Sequence, residues 1–165
     1  MTPTVFPAPA VSSIAAAGDG LCLTPGRPCV GVPVVYTRGD STPLRAVGVT
    51  FQIDTTMLAL CTPGVPAASI RAGAWLDGYT NTLLQVTDNG GGSYTVDQTL
   101  LGQPCGITTG GELFTVDLAA VGPDGAGSIG VTSVRVRDCA NAPVPAGAGP
   151  PSSVNVLGTP IAVGP

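Results

Sequence analysis

Histidine and lysine are both missing from this 165-residue chain. Without them there is no Ser-His-Asp or Cys-His catalysis, no His-ligated metal, no Schiff-base chemistry and no P-loop. Charge of either sign is scarce, at 10% of residues. Six Arg stand against ten Asp plus Glu, for a net charge of −4. With no basic patch, a nucleic-acid partner is excluded. No run of 18 apolar residues occurs, so no helical membrane span is expected. Glu112 is the only Glu, and Asp54, Asp97 and Asp117 fall on the outward phase of predicted strands. Paired carboxylates for glycoside hydrolysis are therefore not expected. Asp88-Asn89-Gly90 lacks the ligand spacing of a calcium loop, which leaves a looser site from Asp88, Asn89 and Asp97 as the alternative to a plain hairpin turn. The chain is expected to be non-enzymatic, with no metal and no cofactor.

Apolar residues are plentiful, at 44%, and 24 Gly and 17 Pro punctuate runs of Val, Ile and Leu. The length suits one domain, large enough to form a core unaided. Five cysteines stand at positions 22, 29, 61, 105 and 139, with no CxxC and no spacing for paired zinc knuckles. Disulfides and an oxidising compartment follow, with one thiol left over or paired with another chain. Met1-Thr2-Pro3 carries no charged or apolar signal region, as expected of a mature fragment or of a module cut from something larger.

Strand signals dominate. Val30 to Tyr36 is a β-branched run ended by Arg38-Gly39-Asp40. Val47, Val49, Phe51 and Ile53 alternate with Gly48, Thr50, Gln52 and Asp54, the period of a half-buried strand. Asn81 to Thr87 and Ser93 to Leu101 flank Asp88-Asn89-Gly90-Gly91-Gly92 and predict a hairpin. Glu112 to Leu118 alternates with either Leu113 or Phe114 inward, depending on register. Within Gly127 to Asp138 the step from Val131 to Val134 predicts a bulge near Thr132-Ser133. Ser153 to Leu157 is a last strand, and Thr4 to Val11 a first, proline-limited edge strand. Val65 to Trp75, broken by Pro66 and Gly73, is allowed one short helical turn. The class is all-β, an eight- to nine-stranded sandwich or jelly roll. Residues 1–157 form one domain and residues 158–165 an exit linker.

The order of these segments resembles a known family. Its carriers are Pro28 to Val34, Val49 to Asp54 with Thr56 to Leu60, Gly111 to Val116, Gly125 to Val136, Asp138 to Val144 and Ser153 to Val156. Over residues 3–157 the chain is similar to the cohesin module of cellulosome scaffoldins and to a cysteine-containing bacterial extracellular branch of cohesin-like domains. The resemblance implies a jelly-roll sandwich that is secreted or displayed at the cell surface, and a protein partner, dockerin-like or a neighbouring subunit. It places residues 47–54, 93–100 and 129–137 in one partner-binding sheet. The outward residues there would be Thr50, Gln52 and Asp54, then Thr95 and Asp97, then Arg135 and Arg137. Of these, Gln52, Asp54, Asp97, Arg135 and Arg137 are the candidate partner-binding set. The same order brings the chain after 101 near the chain after 137, implying a Cys105–Cys139 bond. Cys29 is expected to pair with Cys22 or with Cys61.

Two other functions are kept as alternatives: a carbohydrate-binding module of the same fold, and a structural spacer or filament subunit. The first needs aromatic platforms. Trp75 and Tyr79 lie close in sequence, and Tyr36 and Tyr94 are the remaining tyrosines. The second would use the edge at Thr4 to Val11. Arg38-Gly39-Asp40 matches a tripeptide read by adhesion receptors but has the composition of an ordinary polar turn.

Overall fold

A computed structural model describes residues 11–158. The described residues form twelve strands: β1 (Ser13–Ala16), β2 (Cys22–Leu23), β3 (Val30–Thr37), β4 (Leu44–Ile53), β5 (Leu58–Leu60), β6 (Ile70–Ala72), β7 (Thr82–Gly90), β8 (Ser93–Leu100), β9 (Gly111–Ala120), β10 (Gly125–Asp138), β11 (Gly147–Ala148) and β12 (Ser152–Val156). Eight of them are four residues or longer, matching the expected eight- to nine-stranded sandwich, and four are two- or three-residue additions at the edges. The first sheet has the order β11-β1-β3-β9-β5, with β6 also on β9. The second has the order β2-β12-β10-β4-β8-β7. Each sheet is antiparallel except for one parallel pair at an edge, β1 with β11 and β12 with β2.

The inward side chains of both layers form one core of buried Val, Leu and Ile. Three aromatics lie at its centre. The Phe51 ring centroid is 5.6 Å from that of Tyr94 on its own sheet and 5.9 Å from that of Phe114 on the facing one. Alternation accounts for this: β3 and β8 bury every second residue.

Where β9 departs from alternation, the register explains it. Val34 faces Phe114 and Val35 faces Glu112, leaving Leu113 as an extra residue. Both Leu113 and Phe114 are fully buried, so the sequence-based choice between them is replaced by both. The Leu113 carbonyl accepts a hydrogen bond of 2.9 Å from the buried Gln98 amide of the other sheet. This satisfies an oxygen that would be costly to bury unpaired. A second bulge, between Val131 and Ser133 of β10, sits at the three-residue step in the valine pattern.

The first described strand is Ser13–Ala16; the expected strand over Thr4 to Val11 lies outside the described residues except for Val11, which belongs to no strand. The 158–165 linker also lies outside them beyond Gly158. Between 65 and 76 there are two 3-10 turns, Pro66–Ala68 and Ala74–Leu76, in place of one helical turn, with β6 between them. Pro66 opens the first, and the extended backbone of Gly73 and Asp77 bounds the second on both sides.

Cys29 is bonded to Cys61 and Cys105 to Cys139, with Cα–Cα distances of 6.1 and 6.0 Å. The first bond ties the entry of β3 to the exit of β5. The second ties the β8–β9 connection to the end of β10. Cys22 is a free, half-buried thiol.

Candidate functional site

Strands β10, β4 and β8 are neighbours in the second sheet, with β4 central. Their outward side chains form cross-strand rows. In one row Arg135, Gly48 and Asp97 are aligned. Arg135 and Asp97 belong to strands that do not touch, yet Nη2 of Arg135 lies 3.4 Å from Oδ1 of Asp97. Gly48 makes this meeting sterically feasible. A Cβ there would lie 2.5 Å from the Asp97 oxygen and 3.5 Å from the Arg135 guanidinium. A glycine inside an alternating strand marks such a close approach. Gly48, a glycine on the outward phase of an alternating strand, is the signal in the sequence that could have found this pair.

In the next row Ser133 faces Thr50 and Thr50 faces Thr95. The two threonine hydroxyls are 2.9 Å apart. In the row on the other side, Arg137 faces Ala46 and Ala46 faces Thr99. The Arg137 side chain has no hydrogen-bond or ion-pair partner among the described residues, and it lines a shallow cleft with Arg135, Asp97, Gly48 and Thr99. Arg135 and Asp97 are 65% and 44% exposed, so their ion pair contributes little to stability.

Two of the five candidate residues have local work. The Gln52 amide donates to the carbonyls of Ile53 (2.9 Å) and Gly91 (2.7 Å), holding the β7–β8 turn against β4. That turn has only two residues, Gly91 and Gly92, both at positive φ, as a tight hairpin requires. Asp54 lies just beyond β4, and its Oδ1 accepts from the Thr56 amide (3.0 Å) and hydroxyl (2.6 Å). The structure thus brings Asp97, Arg135 and Arg137 together. It sets Gln52 and Asp54 at one end of the face, as anchors of turns.

Asp88, Asn89 and Asp97 are not gathered into a cation site. Asp88 accepts from the Gly90 amide, Asn89 donates to the Ser93 and Thr95 hydroxyls, and Asp97 meets Arg135. Among the described residues no three His, Cys, Asp or Glu side chains converge. No helix among them is long and apolar enough to cross a membrane.

Aromatic platforms are also absent from the rings considered for sugar stacking. Trp75 is buried, edge-on to Tyr36 with ring centroids 6.5 Å apart, and its indole N–H donates to the Thr109 carbonyl at 2.9 Å. Tyr36 and Tyr94 are buried as well, and Tyr79 is half-buried.

Arg38-Gly39-Asp40 is a structural strap. The Arg38 side chain is 3% exposed and lies over the Tyr36 ring at 5.6 Å. It donates to the carbonyls of Ile107 (3.0 Å) and Thr42 (2.6 Å) and to the Asp40 carboxylate (3.1 Å). A receptor could not reach this guanidinium without unpicking those bonds. The hydrogen bond from Arg38, with help from Thr42, holds the Asp40 carboxyl well below the usual carboxylate range. A depressed native pKa contributes stability above the unfolded value near 4 and loses it as pH falls further. Asp40→Asn should therefore lower the melting temperature at pH 7, and the gap to the parent should narrow progressively as the pH falls below about 4. Melting curves between pH 7 and pH 2 check this, and a gap that stays constant would contradict it.

No family model matches the sequence. No curated protein matches it either. Solved structures do match in fold. The seventh type I cohesin of ScaB from Pseudobacteroides cellulosolvens superposes with a TM-score of 0.67 at 15% identity, over 94% of this chain and 97% of that one. The sixth cohesin of scaffoldin B from Acetivibrio cellulolyticus, in complex with a dockerin, gives a TM-score of 0.65 at 19% identity, over 88% and 97%. A non-cellulosomal cohesin from the archaeon Archaeoglobus fulgidus gives 0.65 at 14%, over 90% and 92%. At these identities the likeness is one of architecture, and it spans the described strands: in fold, the chain is a cohesin-like β-sandwich.

Proposed function

We propose that the chain is a non-enzymatic protein-binding module, attaching a partner within a larger secreted or cell-surface assembly. The outer face of β10, β4 and β8 is the binding surface. The observation that carries this reading is the row Arg135, Gly48, Asp97 with the unpartnered Arg137 beside it. Arg135 and Asp97 stand well exposed on the outer face of this sheet, where their ion pair contributes little to stability. Arginine is favoured at interfaces because its planar fork can take a carboxylate with two bonds. Further support comes from the Acetivibrio cellulolyticus cohesin, which was solved in complex with a dockerin. A dockerin-like or other acidic-faced protein is the expected partner. Two disulfides fit an extracellular setting.

The test replaces Arg135 and Arg137 together by Ala. Exposed sheet positions usually change stability by about 0.5 kcal/mol or less, so the melting temperature should barely move. Capture of a protein from the native extracellular fraction, and of members of a dockerin panel, should fall roughly tenfold or more, as expected for charged contacts at an interface centre. Equal capture by parent and double variant would remove the face from consideration.

A further inference from the structure

The edges of the two sheets are built very differently. One edge of the first sheet is β11, with two residues, and the other is β5 and β6, with three each. One edge of the second sheet is β2, also with two residues. Very short edge strands are a common protection against unwanted pairing. The remaining edge among the described residues, β7, has nine residues, seven of them exposed. From Thr82 to Thr87 it contains no Pro, Lys, Arg, Asp or Glu; its protections are a bulge between Asp88 and Gly90 at one end and the Pro66–Ala68 turn packed against it.

The direction of its free backbone groups follows from the ladder. The Leu101 amide donates to the Asn81 carbonyl, and these two residues continue the register in which Thr82 faces Leu100. Bonded and non-bonded pairs alternate in an antiparallel ladder. Leu83, Gln85 and Thr87 therefore direct their backbone groups toward Thr99, Asp97 and Thr95 of β8. Thr82, Leu84, Val86 and Asp88 direct theirs away. The 3-10 turn at Pro66–Ala68 packs against β7, but its backbone bonds stay within residues 62–69.

We propose that β7 is a self-association edge, at which two copies of the chain pair antiparallel about a two-fold axis through Gln85. In that register Leu84 and Val86 of one copy exchange backbone bonds with Val86 and Leu84 of the other. Thr82 and Asp88 do the same at the ends. The parity is the correct one: all four outward-directed residues of one copy meet outward-directed residues of the other. The half-buried Leu84 and Val86 side chains meet each other on the inner face, extending the core. Leu83, 45% exposed, gains Thr87 of the second copy as its neighbour. Asp88 is the only charge in the strand, and its two copies lie about 20 Å apart, at opposite ends of the six-residue span. Moving the register by two residues one way sets Asp88 opposite residue 80, outside β7, and moving it the other way sets Thr82 opposite Gly90, beyond the bulge after Asp88. A second copy satisfies this strand better than an arbitrary extended peptide, because apolar meets apolar and like charges are kept apart.

The inference is independent of the β10-β4-β8 face, and its test does not depend on a partner. Sedimentation equilibrium on the intact chain should show a monomer–dimer equilibrium. Amide exchange at Leu84 and Val86 should slow as concentration rises, while Leu83 and Gln85 stay protected throughout. Gln85 is exposed and central, so Gln85→Lys should place two like charges directly opposite each other and weaken the dimer roughly fivefold or more. Gln85→Glu should do the same. An equimolar mixture of the two variants should recover association as a heterodimer. Circular dichroism and melting of each variant check that the monomer is intact. A parent that stays monomeric up to its solubility limit would overturn the proposal. So would a dimer whose Leu84 and Val86 amides exchange at monomer rates, or one indifferent to both Gln85 variants.

Discussion

Phe51→Ala is expected to destabilise the domain by roughly 3–5 kcal/mol. For a chain of this size that lowers the melting temperature by roughly 10 °C. The expectation rests on position as much as on residue type. Phe51 is fully buried on the central strand of its sheet, and its ring bridges the layers, touching Tyr94 on one side and Phe114 on the other. Truncation would remove both ring contacts and leave a cavity between two hydrogen-bonded sheets, which cannot collapse without breaking their ladders. Total stability for such domains is commonly about 5–15 kcal/mol, so the loss is a large share of it. Urea unfolding of parent and variant measures the difference. A loss below about 1 kcal/mol would mean that β4 has the opposite face inward, and the proposed binding surface would then be core.

Replacing Cys105 and Cys139 together by Ala should cost about 2–4 kcal/mol. The bond closes a loop with a sequence separation of 34, which includes the whole of β9 and β10. Much of the cost is expected through the unfolded chain, which regains the freedom the cross-link removes. The effect should also be local. Cys139 directly follows β10, and its bond holds the β8–β9 connection beside Asp138, whose carboxylate receives the Ala140 and Ala142 amides. Amide exchange near Arg137 should therefore rise in the double variant, while the first sheet changes little. Non-reducing peptide mapping of the parent should return 29–61 and 105–139 cross-linked peptides and Cys22 as an alkylated thiol. Unchanged unfolding in the double variant would show that the link constrains nothing the ladders do not already hold.

The sequence by itself determined the class of fold and the identity of most of the core. Alternation at 47–54 and 93–100 is local information: with a repeat of two, each residue's neighbours state which face it takes. The scarcity of helical periodicity and the Gly and Pro punctuation left no place for long helices. The step from Val131 to Val134 even carried the bulge, because a bulge shifts the pattern of the strand that contains it. Contributions from strands distant in sequence were not legible. The β9 bulge appears only when Val34 and Val35 of β3 are paired with it, so one strand's pattern could not say that Leu113 and Phe114 are both buried. The partner of Cys29 depended on where β5 ends relative to β3, a matter of sheet order. Arg38-Gly39-Asp40 reads as an exposed turn until the carbonyls of Thr42 and Ile107 are brought around the guanidinium. Gly48 is a weak strand residue by propensity, and its purpose appears only when Arg135 and Asp97 are placed on either side of it. The length of β7's free edge is likewise set by which strands pair, and pairing is decided by packing two layers at once. Local periodicity states which way a side chain points; only the assembled sheets decide what it meets.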